Sequence, residues 1–195
     1  MPLLLIDGTY ELFRAHYSRR PDRTDPSGRD VKATVGVVGA VLGLLAEVNS
    51  APIHVAAAFD RPIESFRNDR FPGYKDSRGM PAELLAQFEL VEQAVVAIGV
   101  TVWSMDRWEA DDALATAAVR FASEVDQVRI VTPDKDLAQV VADQPLIVRA
   151  ILRQEDAQVL QRCVAAGRLR FVGRFVLRRL AGVGRAGGRF TASRV

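Results

Sequence analysis

What most constrains this chain is a set of short apolar runs that end in carboxylates and alternate with helix-like segments. LLLID, residues 3–7, ends in Asp7 and is followed by Gly8. IHVAAAFD, residues 53–60, ends in Asp60. VTVW at 100–103 leads toward WEADD, VRIVT at 128–132 runs into PDKD, and LIVRA at 146–150 reads as a last strand. Between them, TYELFRAHY at 9–17 predicts a short helix. Residues 33–48 put Val35, Val38, Leu42 and Leu45 at helical spacing, with Gly36, Gly39 and Gly43 suited to close packing against a sheet. Leu84, Phe88, Val91, Val95 and Ile98 mark an amphipathic helix, and Leu114, Ala117, Ala118 and Phe121 mark another. Residues 18–31 and 61–80 are polar and rich in turn formers, so they read as connections. Apolar strands alternating with helices predict an α/β fold of three layers, with a central, mostly parallel sheet covered on both faces.

In such sheets ligands bind beyond the carboxyl ends of the strands. That edge is where Asp7, Asp60, Glu109, Asp111, Asp112, Asp134 and Asp136 fall. Seven carboxylates on one edge repel one another unless counter-charge is supplied. Hard divalent cations with oxygen ligands supply it, and Mg²⁺ or Mn²⁺ fits best. Two such ions about 4 Å apart suit phosphodiester hydrolysis. Each acid also has a plainer role: carboxylates favour a helix's first turn, and an Asp ending a strand commonly caps a turn. His16 and His54 read as packing or surface residues. A nucleotide-cofactor enzyme is disfavoured, because the first strand leads into DGTYE with no glycine-rich phosphate loop.

The connection after Asp60 contains FRNDRFPGYKDSR, residues 66–78. Arg67, Arg70, Lys75 and Arg78 alternate there with Phe66, Phe71 and Tyr74. Cations interleaved with aromatics suit phosphate contacts and base stacking on a single strand; a solvated loop with packed aromatics is the alternative.

LIDGTYELFRAHY, the AAFD strand end, FRNDRFPGYKDSR, EADD and TPDKDLAQ occur in this order over residues 2–150, and together they resemble the 5′-nuclease family. This is the 5′-3′ exonuclease domain of bacterial DNA polymerase I and its flap-endonuclease relatives. The resemblance implies a PIN-like α/β domain that cleaves DNA, with RNA as the alternative, near a 5′ end or flap using two metal ions. By position it implies that Asp7, Asp60, Glu109 and Asp111 bind the first metal. It implies that Asp112, Asp134 and Asp136 serve the second, some through water. Lys75 matches a lysine that engages the scissile phosphate, with Arg78 as its basic neighbour; Lys75, Asp60 and Asp111 are the expected catalytic residues. Tyr10, Arg14 and Arg67 lie in matching motifs, and Arg14, Arg67, Arg70, Tyr74 and Arg78 are the expected substrate contacts. The implied partner is DNA, with no membrane, no organic cofactor and a monomeric chain. A non-catalytic nucleic-acid-binding remnant and a PIN-type ribonuclease are the competing readings.

Charge divides the chain. All 24 acidic residues lie in residues 1–156, while residues 162–195 carry nine arginines and no Asp, Glu or Lys. The net charge of +2 is thus −7 over residues 1–161 and +9 beyond. The expected division is a PIN-like domain at 1–161 and an aberrant Arg-rich tail at 162–195. In the family a Gly-Asp-Ser-x-Asp segment and a Gly-rich helix-hairpin-helix-type clamp follow the last strand. Here those carboxylates are missing, so the second-metal site is expected to be incomplete. A shifted reading frame or a truncated gene accounts for the loss; a genuine basic tail, or an apolar helix at 168–180, are the alternatives. Cys163 is the single cysteine, which excludes an internal disulfide framework and a multi-cysteine zinc site. The apolar start is cut off by Asp7, so no signal peptide is expected and the default compartment is cytoplasmic.

Overall fold

The computed structural model describes residues 1–47, 53–61, 63–143 and 145–150. The expected boundary at 161/162 and the alternatives for the tail lie outside the described residues. In chain order the elements are β1 (Pro2–Asp7), α1 (Gly8–His16), α2 (Lys32–Glu47), β2 (His54–Asp60), α3 (Phe66–Arg70), α4 (Ala82–Leu85), α5 (Phe88–Ala97), β3 (Thr101–Met105), α6 (Ala110–Phe121), β4 (Gln127–Val131), a 3₁₀ turn (Asp136–Val140) and β5 (Ile147–Ala150). The five strands are all parallel, in the order β3-β2-β1-β4-β5.

Strand alternation divides β1 between two cores. Leu4 and Ile6 pack with Leu12, Val37, Val41, Leu84 and Val91 on the face covered by α1, α2, α4 and α5. Leu3 and Leu5 pack with Leu114, Ala118 and Ile130 on the face covered by α6. The order reverses at β1: β2 and β3 are added on one side, β4 and β5 on the other. A crevice at such a reversal is where α/β sheets take their ligands. Among the described residues no helix is long and apolar enough to cross a membrane.

Four local expectations are corrected. The buried face of α2 is Ala33, Val37, Ala40, Val41 and Leu44, not the stripe of Val35, Val38, Leu42 and Leu45. Gly36 faces α1 rather than the sheet: a Cβ there would lie 2.6 Å from the Ala15 Cβ and from an Arg20 guanidinium nitrogen. The segment around Leu84–Ile98 is two helices, parted where the buried Gln87 turns inward. Its Oε1 accepts from the Thr34 backbone N–H at 2.9 Å and from Thr34 Oγ1 at 3.1 Å, and its Nε2 donates to Asp30 Oδ2 at 3.2 Å. Phe121, expected in the core, is 37% exposed. The connection after β2 also contains α3, which the sequence reading passes over; Ser65 caps it, accepting from the Arg67 N–H while its own N–H donates to Asn68 Oδ1.

Candidate active site

Asp7 and Asp60 end neighbouring parallel strands, with Asp7 in register with Ala58. Both follow the alternation of Leu5 and Ala58, so they emerge on the α6 side of the sheet. Asp7 Oδ1 accepts from the Tyr10 N–H at 2.9 Å, which starts α1, and Oδ2 accepts from Thr132 Oγ1 at 2.8 Å. Asp60 Oδ1 accepts from the Ala110 N–H at 2.6 Å, so the first turn of α6 sits on this carboxylate. The Asp60 N–H in turn donates to Thr9 Oγ1 at 2.7 Å. These bonds leave a cleft of about 380 Å³ at the strand ends, lined by Asp7, Thr9, Tyr10, Asp60, Lys75, Ala110, Asp111, Pro133 and Asp134.

The electrostatics of the cleft are unbalanced at Asp111. Burial, and then the negative charges of Asp7, Asp134 and Asp60, push its carboxyl up to about 7. Burial also raises Asp7, opposed by the bonds from Tyr10 and Thr132. The nearest positive charge is Lys75, whose Nζ lies 3.1 Å from Asp60 Oδ2 and 3.5 Å from Glu109 Oε1. Burial works against the Lys75 ammonium, but Asp60 and Glu109 outweigh it and hold the amine above its ordinary range.

Glu109 is buried beside the cleft. Its Oε1 accepts from Ser65 Oγ at 2.9 Å, and its Oε2 lies 3.2 Å from Arg67 Nη1 and 3.4 Å from the Tyr74 hydroxyl. Asp112 turns away to a two-pronged pairing with Arg67, both bonds 2.9 Å, which holds its carboxyl below the ordinary range. Asp136 is exposed at the start of the 3₁₀ turn, its N–H donating to Asp134 Oδ1 at 2.8 Å. Arg14 does not line the cleft; it pairs with Glu11, which is 2% exposed. Arg70 is exposed on α3, and Arg78 is exposed and paired with its neighbour Asp76. Of the acids expected at this edge, Asp7, Asp60, Asp111 and Asp134 share the cleft and Glu109 adjoins it, while Asp112 and Asp136 lie apart from it.

Among the described residues no three acidic, histidine or cysteine side chains stand close enough to hold a metal ion. The donor set nonetheless fits a hard divalent cation in its chemistry: carboxylates and hydroxyls surround the crowded charge at Asp111, which Lys75 offsets only in part, and a cation there would relieve it. Sequence reasoning missed Thr9, Ser65 and Thr132, and passed over Trp108 beside Glu109. Hydroxyls and a lone aromatic carry no spacing signal, and only the closeness of Trp108 to WEADD could have drawn attention to it.

The chain is similar to known proteins in sequence and in fold. The family model described as 5′-3′ exonuclease, N-terminal resolvase-like domain, matches residues 2–165. DNA polymerase I of Mycobacterium tuberculosis is 36% identical over 143 residues, covering 72% of this chain and 16% of the polymerase. A 5′-3′ exonuclease of Bacillus subtilis is 36% identical over 143 residues, covering 72% of this chain and 48% of that protein. The chain therefore spans less than half the length of these relatives. Among solved structures, the bacteriophage T5 5′-exonuclease with bound zinc aligns at TM-score 0.54 and 17% identity, covering 77% of this chain and 55% of that one. The T5 flap endonuclease complexed with DNA and metal ions aligns at TM-score 0.51 and 18% identity, with the same coverage. The fold is that of these PIN-like nucleases.

Proposed function

We propose, on the premise that the chain belongs to the family of 5′-3′ exonuclease N-terminal, resolvase-like domains, that it hydrolyses DNA phosphodiester bonds near a 5′ end or flap. The observation that carries this reading is the meeting of Asp7, Asp60, Asp111, Asp134 and Lys75 around one cleft at the carboxyl edge of the sheet. Asp7, Asp60, Asp111 and Asp134 would hold a divalent cation, Mg²⁺ or Mn²⁺, with Glu109 joining as Lys75 leaves it. Asp112 and Asp136 would serve a second ion through water. Such ions, when bound, acidify water and neutralise charge on the phosphoryl oxygens.

The remaining work falls to the chain's own groups. Lys75, 41% exposed at its side chain, would swing from Asp60 onto the scissile phosphate, where its charge counts most as negative charge builds up. Arg67, Ser65 and Tyr74 fix Glu109 at the cleft wall. Arg70 and Arg78 would take phosphates further along the strand. Residues 162–195 offer no carboxylate, so the second ion would be held weakly and turnover would be low.

A second reading is favoured by one observation: Lys75 and Arg67 already pair with Asp60, Glu109 and Asp112. A chain whose acids are satisfied by its own cations would bind nucleic acid without cutting it. A labelled 5′-flap cleavage assay in Mg²⁺ or Mn²⁺ separates the two, comparing the chain with Asp60→Ala and Lys75→Ala. Cleavage lost in both variants supports the nuclease; cleavage indifferent to Asp60→Ala removes the assigned site. Salt-sensitive binding without any cleavage supports the remnant.

A further inference from the structure

Trp108 immediately precedes Glu109, yet it is 52% exposed, a large apolar surface left in water on the rim of an acidic site. It sits in the turn between β3 and α6, at the carboxyl edge of the sheet. Its ring lies 4.7 Å from that of Phe66, tilted by 52°. The Arg67 guanidinium lies 4.8 Å over the same Phe66 ring, and it also pairs with Glu109 and Asp112. The Phe66 N–H donates to the Arg107 carbonyl at 2.9 Å, which ties the platform's two strands of chain together. Two aromatics and a planar cation are thus grouped beside Glu109, a carboxylate that Lys75 also touches.

We infer that Trp108, backed by Phe66 and Arg67, is a stacking platform for one unpaired base of the DNA strand whose phosphate enters the cleft. This rests on the nuclease reading above and adds a base-contacting surface to it. Three features select a base of the bound strand as the occupant. The platform adjoins the cleft through ion pairs: Arg67, which lies over Phe66, pairs with Glu109, and Glu109 is touched by Lys75 of the cleft wall. Exposed Arg107 precedes Trp108 in the chain and exposed Arg70 ends the helix that Phe66 begins, which suits a strand with anionic phosphates. Finally, an indole face and a phenyl ring accept any base, because stacking depends on the base's π-face and not on its edge. The platform therefore gives the site a preference for unpaired over duplex DNA without sequence preference.

The test titrates the full chain, in EDTA to prevent cleavage, with a 5′-flap oligonucleotide while tryptophan fluorescence is followed. Trp103 and Trp108 are the two tryptophans. Binding should quench the wild-type signal, and Trp108→Phe should lose that quenching while keeping affinity within about twofold. Trp108→Ala should weaken binding roughly ten-fold, the size expected for one lost base stack. That factor should be the same at low and high salt, since stacking releases no counterions. Moving a single abasic nucleotide through the flap should find one position at which wild type and Trp108→Ala bind equally. Thermal melts of both variants check folding. The inference is overturned if Trp108→Ala binds flap DNA as wild type does, if quenching survives in Trp108→Phe, or if only the melting temperature falls. A wild-type chain that binds and cuts flaps while Trp108 proves dispensable leaves the nuclease reading intact. A wild-type chain that neither binds nor cuts them removes both.

Discussion

At the scale of single residues, the cleft is governed by how its negative charge is neutralised. Asp111 has its carboxyl raised to about 7, against 3.8 when unperturbed. The folded protein therefore holds a proton there that the unfolded chain releases, and its stabilising effect is complete below pH 4 and lost as pH rises through 7. Without divalent cations the melting temperature should fall across that window, and Asp111→Asn should flatten the slope. Added Mn²⁺ should raise the wild-type melting temperature more at pH 8 than at pH 5; an equal rise would deny Asp111 a part in holding the ion. Lys75 competes for the same carboxylates. Lys75→Met should bind Mn²⁺ several-fold more tightly by calorimetry without DNA, while losing flap cleavage. Gly8 illustrates a different constraint, since a Cβ there would lie 2.4–2.6 Å from the Phe59 ring. Gly8→Ala should cost about 1–3 kcal/mol in chemical denaturation, the usual range for overpacking a tight site.

At the scale of elements, Gln87 joins the start of α2 to the turn between α4 and α5. Gln87→Leu strands a buried Thr34 N–H and hydroxyl, so about 1–3 kcal/mol should be lost. Hydrogen exchange should speed up first at the beginning of α2. That same residue marks a limit of what the sequence reveals. The five strands were legible as compact apolar runs, with β1, β2 and β4 closed by Asp or Thr. The clustering of Asp7, Asp60, Asp111 and Asp134 followed from those strand ends and the parallel topology. The orientation of α2 was not legible: its run of Ala, Val, Gly and Leu is apolar all round, so no face stands out. Small residues decided it, because Gly36 lets Ala15 of α1 come close. The break at Gln87 was hidden because Leu84 and Phe88 keep helical spacing across it. Asp112 belonged to the right motif, yet Arg67 of the basic connection holds it away from the cleft, a pairing 45 residues apart that no local pattern announces.

At the scale of the whole molecule, charge is separated along the chain, −7 over residues 1–161 and +9 over residues 162–195. Phosphate contacts set salt dependence, and contacts to bases and to junction shape set preference. Replacing the nine arginines beyond residue 161 with glutamine should lower the salt slope of DNA binding. The ratio of flap to blunt-duplex affinity should stay unchanged; a changed ratio would make the tail part of recognition. The strand order has its own consequence for how the molecule comes into being. Asp7 and Asp60 are set side by side by β1 and β2, but Thr132 and Asp134 arrive only when β4 docks on the far side of β1, pairing residues 125 apart in sequence. Contacts across such long separations form late, because loop closure must precede them. A chain that has not yet docked β4 thus carries Asp7, Asp60 and Asp111 but no finished cleft. Any activity of the cleft would therefore wait until the chain has folded as far as Asp134.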